Sequence, residues 1–251
     1  MEWSSGGKGR RNKKLKLEEK EDRISSLPDP LLHHILSFLL STVDAIQTDI
    51  LSKRWQNQWT HVPVLIFDSG CGEHVAKVIL KQLQNVKELS IGASFIKILS
   101  DGEMGGLYYP WSNNKILTLD RPNFEHLPGI MCALCSSPTL ERLAIKLNVY
   151  KGGTTPYASE ENYWNSNRSV INCLLPHLKT VEIIGLSKQD GKCKLVLKFI
   201  KFLLKKARLL EKLVLVISKD GGTDFAFKVS QKLSSFPRCS QHAIVELLYS
   251  H

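Results

Sequence analysis

The sequence predicts a modular α/β chain: a small three-helix unit, then a short irregular solenoid of parallel strands, then a compact α/β module. Two patterns predict it. Apolar residues at helical spacing fill residues 29–59, and an apolar-x-x-apolar-x-apolar strand signature recurs between residues 86 and 215. Charge then divides the chain. Residues 1–20 hold seven basic and three acidic groups, residues 21–68 three and six, residues 69–169 ten and nine, and residues 170–251 fourteen and six. The basicity sits at the two ends, whereas a chain built to grip phosphates is basic through its folded part.

Residues 1–20 are Gly, Ser and charge, too poor in apolar groups to repay the entropy of folding, so a disordered basic tail is expected. Its cluster Lys8, Arg10, Arg11, Lys13 and Lys14 matches a nuclear-import tract in composition; the alternative is a solubilising tail. The first helix follows. Asp29 can cap it, Pro30 suits its first turn, and Leu31, Ile35 and Leu39 recur at i, i+4 and i+8, with Leu32 and Leu36 widening the stripe. Ser41, Thr42 or Asp44 can cap a second helix, with Ala45, Ile46 and Ile50 facing inward. Ser52 can cap a third, setting Trp55 and Trp59 one turn apart. A unit of about 40 residues rarely buries enough area alone, so a partner or a neighbouring module is expected to complete its core.

These residues carry a resemblance. DRISSLPDPLLHHILSFL, followed by ILSKRW and Trp59, is similar to the F-box of plant F-box proteins over residues 21–68. The resemblance implies a surface that docks on the Skp adaptor of a cullin-RING ubiquitin ligase, with Leu27 and Pro28 opening it, Leu32, Ile35 and Leu36 extending it, and Leu51 and Trp55 in its later part. The chain departs from the family at residues 40–43, where a proline is lost and one residue gained, and at Gln58, where leucine is usual.

From residue 86 the strand signature takes over. Val86-Lys-Glu-Leu89-Ser-Ile91 shows it in full, and Asn114-Lys-Ile-Leu117-Thr-Leu119 shares its second half. The segments starting at Leu140, Leu178 and Leu210 repeat it in full. The central position recurs at 89, 117, 143, 181 and 213, as in irregular leucine-rich repeats. Such strands place alternate residues on the core side and run parallel, joined by crossovers. Helical period is visible in Val75–Leu83, Leu127–Cys135 and Lys194–Lys212. In the last of these Val196, Phe199, Ile200, Leu203 and Leu204 share one face, and lysines lie largely off it.

CLLPHLKTVEIIGL, the helix FIKFLLKKARLLEKLVLVIS and KLSSFPRCS resemble the FBD module that ends many plant F-box/leucine-rich-repeat proteins. The expected organisation is therefore a tail (1–20), an F-box (21–68), a shortened leucine-rich-repeat region (69–169) and an FBD-like α/β domain (170–251). Residues 151–169 read as an exposed loop. Its Tyr157, Tyr163 and Trp164 are either a target-binding spot or residues that pack back on the nearest repeat.

Nothing in the sequence calls for catalysis. It has no phosphate loop, dinucleotide fingerprint, nucleophile elbow or zinc-protease helix. Cys132 and Cys135 form its only C-x-x-C, and a closed zinc site needs four ligands, so both thiols are expected on a helix as small hydrophobes. No apolar run approaches the roughly 20 residues of a membrane span. No cofactor or metal is expected. The expected partners are a Skp adaptor with its cullin-RING ligase and a protein substrate, in the nucleus and/or cytoplasm, with neither a membrane nor nucleic acid favoured. A basic nucleic-acid- or chromatin-associated module and a truncated F-box relative without a target remain as alternatives.

Overall fold

Period-two apolar segments need a pleated surface that buries one face, and the chain builds one such surface. The computed structural model describes residues 24, 26–39, 42–67, 79–80, 82–101, 110–147, 175–188, 193–219 and 222–249. Its single sheet has seven parallel strands in sequence order: β1 (Val64–Phe67), β2 (Glu88–Gly92), β3 (Ile116–Asp120), β4 (Arg142–Lys146), β5 (Thr180–Leu186), β6 (Lys212–Ile217) and β7 (Ile244–Tyr249). The five central positions read from the sequence fall opposite one another, in the ladder Leu65–Leu89–Leu117–Leu143–Val181–Leu213–Val245. Two residues on, Phe67, Ile91, Leu119, Ile145, Ile183, Leu215 and Leu247 form a second ladder on the same face. Both ladders are buried from β1 to β6 and half-buried at β7, where the sheet has an edge. A third layer, three residues before the first, holds Val62, Val86, Asn114, Leu140, Leu178 and Leu210, all buried.

Registration is also set at the strand starts. Lys115 N–H bonds to Lys87 O, Glu141 N–H to Lys115 O, Lys179 N–H to Glu141 O, and Glu211 N–H to Lys179 O, each at 2.8–2.9 Å. Each turn into a strand therefore templates the next one, which favours the same fold in every repeat.

The helices are α1 (Asp29–Ser37), α2 (Thr42–Gln47), α3 (Ala93–Ser100), α4 (Leu127–Ser136), α5 (Cys193–Lys206) and α6 (Gly222–Ser234). Helix α4 matches its sequence expectation to within a residue. Helix α5 stops at Lys206, six residues short of the expected end. From Leu210 the apolar period changes from helical to alternating, and Lys212 is already paired with Thr180 in the sheet. Most of the expected helix at residues 75–83 lies outside the described residues. Helices α3 and α6 and strands β1 and β7 were not expected.

Helix α3 packs tightly on α4. A Cβ on Gly129 would collide with the Ile96 carbonyl oxygen. The Ser100 hydroxyl accepts the Gly129 N–H at 2.8 Å, satisfying a first-turn donor of α4 that lacks a helical partner, and donates to the His126 carbonyl at 3.0 Å. Cys132 and Cys135 are free thiols on the half-buried side of α4. Burial pushes the Cys132 thiol above its ordinary pKa, and the same holds for Cys193 at the start of α5. Among the described residues, no helix is long and apolar enough to cross a membrane, and no three His, Cys, Asp or Glu side chains are grouped to hold a metal.

Candidate functional site

Helix α1 carries apolar side chains on two sides. Leu32 and Leu36, one turn apart, are buried with Ala45, Trp55 and Trp59 in the core that continues into Leu65 of β1. The other side holds Leu31, Ile35 and Phe38, which are 48 %, 41 % and 70 % exposed. Ile50 and Leu51 extend this exposed apolar set at 86 % and 63 %. Five large apolar side chains in so short a segment are more than scattered surface residues, which singly need no explanation.

Local contacts hold this face in shape. The Arg54 guanidinium meets the Asp29 carboxylate at 2.6 Å and donates to the Leu27 carbonyl at 2.9 Å, tying the start of α1 to the turn before Trp55. Asp29 thus lies inside the first helical turn, where its charge favours the helix N-terminus, instead of capping from outside. The His33 ring stacks on His61 with centroids 5.0 Å apart, and its Nε2 is 2.8 Å from the Gln58 Oε1. Gln58 Nε2 also donates to the Arg54 carbonyl at 3.1 Å. The glutamine in the usual leucine position is therefore bonded at both ends of its amide. The Thr42 hydroxyl oxygen accepts the Ile66 N–H at 2.7 Å, pinning α2 to the first strand of the sheet. The neighbouring module thus covers the inner side of this unit and leaves the outer side open.

The expected third helix does not form. Residues 53–57 are turns, and Gln58–His61 is a single 3-10 turn. Asn57 takes a left-handed conformation (φ 61°), held by its N–H donating to the Asp49 carboxylate at 2.9 Å, and this reverses the chain between the two tryptophans. Both rings still reach the core. Ile50, expected to face inward, points to solvent.

Of the residues that the resemblance implies for docking, Pro28, Ile35 and Leu51 are exposed and Leu27 is half-buried. Leu32, Leu36 and Trp55 are buried, so they hold the face up from beneath and do not form its surface. Leu31, Phe38 and Ile50 are outer-face residues that the sequence reading did not assign. The signal for α1 was its stripe: Leu31, Leu32, Ile35, Leu36, Phe38 and Leu39 span about 160° at 100° per residue, wider than the roughly 100° of a single buried face. Leu40 and Ser41 of the altered segment, the tract Lys8–Lys14, and Tyr157, Tyr163 and Trp164 lie outside the described residues.

The second exposed feature is the outer face of the sheet. Toward β7 it is apolar, with half-buried Ile184, Val214 and Val216 and exposed Ile244 and Leu248. Ion pairs run across it, Arg142 to Glu182 at 3.4 Å and Lys212 to Glu246 at 2.9 Å. At the strand starts Glu141 lies between Lys115 (3.0 Å) and Lys179 (3.4 Å), whose hydrogen bonds hold its carboxyl below the usual range.

Comparison with known proteins agrees with these features. Residues 165–215 match the FBD family, spanning β5, α5 and the start of β6. The chain is 48 % identical over 52 residues to F-box/LRR-repeat protein 25 of Arabidopsis thaliana, covering 21 % of this chain and 20 % of that one. It is 61 % identical over 49 residues to an F-box/FBD/LRR-repeat protein of the same plant, covering 20 % and 11 %. To an F-box/LRR-repeat protein of that plant it is 34 % identical over 142 residues, covering 50 % of this chain and 38 % of the relative. The chain thus spans well under half the length of each of these relatives. No solved structure matches it. With an FBD segment, a repeat-spaced parallel sheet and relatives of this kind, the chain is similar to the plant F-box/FBD/LRR-repeat proteins.

Proposed function

We propose that the chain is a non-catalytic substrate-recognition subunit of an SCF-type cullin-RING ubiquitin ligase. Residues 21–68 act as the F-box, docking on a Skp adaptor. The sheet that follows acts as a short leucine-rich-repeat solenoid running into the FBD-like domain, and presents a protein target. The observation that carries the reading is the uncovered outer side of the first unit, with Leu31, Ile35, Phe38, Ile50 and Leu51 in solvent. The relatives, named as F-box/LRR-repeat and F-box/FBD/LRR-repeat proteins, support it. The apolar outer face of β5–β7 is where the target binds. A subunit of this kind works by position: it raises the effective concentration of a target lysine near the charged conjugating enzyme and needs no reactive group of its own. It acts in the nucleus and/or cytoplasm.

The test is adaptor binding by the full chain. A plant Skp adaptor retains the wild type. Ile35→Asp and Leu51→Asp, made at exposed positions, each weaken binding at least tenfold without changing the melting temperature, because a carboxylate buried in an apolar interface has no partner. No binding by the wild type, or equal binding by both variants, rejects the proposal.

A further inference from the structure

We propose that the lysine-bearing outer side of α5 and α6 is a second docking surface, fitted to an acidic polypeptide segment. On α5, Val196, Phe199, Ile200 and Leu203 are buried against the sheet. Lys194, Lys198, Lys201 and Lys205 are exposed at i, i+4, i+7 and i+11. At 100° per residue these four fall within an arc of about 60° and make one row roughly 16 Å long. On α6, Phe225, Ala226, Val229 and Leu233 are buried, and Lys228 and Lys232, one turn apart, are exposed.

The end of α6 lies near α5. The Lys201 ammonium lies 5.8 Å from the centre of the Phe236 ring, just past the end of α6. The Lys232 charge is close enough to the Cys193 thiol, at the start of α5, to act on its ionisation. Helix α5 contains no acidic residue, and α6 contains only Asp224, in its first turn. Like charges one turn apart disfavour a helix. A bound anion offsets repulsion of this kind. The basicity is also confined to this part of the chain: residues 170–251 hold fourteen basic and six acidic groups, against three and six in residues 21–68.

The residue types select the anion. Every cation in the two rows is lysine, a point charge without the planar fork that arginine offers a phosphate. Among the described residues these rows carry one exposed aromatic, too few for successive bases to stack on. One apolar side chain stands beside them, Phe227 at 63 % exposure next to Lys228. Carboxylates spaced along a polypeptide, with an apolar residue among them, complement that set. The surface lies on the helical side of the sheet, away from the strand face proposed for the target, so both can be occupied together.

The experiment titrates the full chain into a fluorescent 12-residue Glu-rich peptide carrying one Phe, with anisotropy as readout. The wild type binds, and raising NaCl weakens binding. The triple variant Lys198→Glu, Lys201→Glu, Lys205→Glu binds at least tenfold more weakly. Reversing Lys87, Lys97 and Lys146 to Glu makes the same change in net charge elsewhere and alters affinity less than threefold. A neutral set, Lys194→Gln, Lys201→Gln and Lys228→Gln, also weakens binding and serves if the reversed variant misfolds. The proposal is overturned if the wild type does not bind the peptide, or if the control reversal weakens binding as much. It is equally overturned if a 12-base-pair DNA duplex or phosphatidylserine vesicles bind more tightly than the peptide.

Discussion

Asn114 stands where every neighbouring repeat has an aliphatic residue, and replacing it with leucine is expected to stabilise the protein. Its layer holds Val86 on one side and Leu140 on the other. Asn114 is 0 % exposed, and neither its Nδ2 nor its Oδ1 has a hydrogen-bond partner. A buried amide left unpaired costs about 1–3 kcal/mol. Leucine places two methyl groups where the amide oxygen and nitrogen lie, with the same number of heavy atoms, so little repacking is needed. The expected gain for Asn114→Leu is therefore about 1–3 kcal/mol, and roughly 2–4 °C in melting temperature per kcal/mol for a chain of this size. Thermal and urea unfolding followed by circular dichroism measure it. Two alanine variants sharpen the comparison: Leu140→Ala costs about 2–5 kcal/mol by leaving a cavity, while Asn114→Ala comes out near neutral. A loss of stability in Asn114→Leu comparable to that in Leu140→Ala would refute the reasoning, since it would mean the amide is satisfied and holds the turn before β3.

Two other predictions follow from the packing. Gly129→Ala drives a methyl group into the Ile96 backbone carbonyl, so α3 and α4 must separate, and the expected loss is about 2–4 kcal/mol, read as a lower urea midpoint. A control at the exposed neighbour, Pro128→Ala, leaves the midpoint within about 1 kcal/mol. In alkylation of the native chain by iodoacetamide at neutral pH, mapped by mass spectrometry, exposed Cys239 is modified before Cys132 and Cys193. Burial withholds reagent from these two and raises their pKa, which keeps them as thiols. Comparable rates for Cys132 and Cys239 would contradict the burial of that side of α4.

Spacing alone located the five central strands of the sheet. An apolar residue at 89, 117, 143, 181 and 213, each followed by another two residues on, leaves only one way to bury all five segments together: side by side, parallel and in register. Charge counting likewise located the basic end without a structure. The sequence could not say which apolar residues of the first unit face out. Leu31 and Leu32 are neighbours of the same type, and burial separates them because α2 and the first strand cover one side of α1, while among the described residues the other side stays exposed. The same holds for the two tryptophans, whose helical spacing suggested a third helix. A carboxylate eight residues back holds Asn57 in a left-handed turn, and that long-range bond overrides the local preference. Helical and alternating periods follow from each residue's neighbours along the chain. The choice between two apolar faces depends on what packs against them, and only the folded chain decides that.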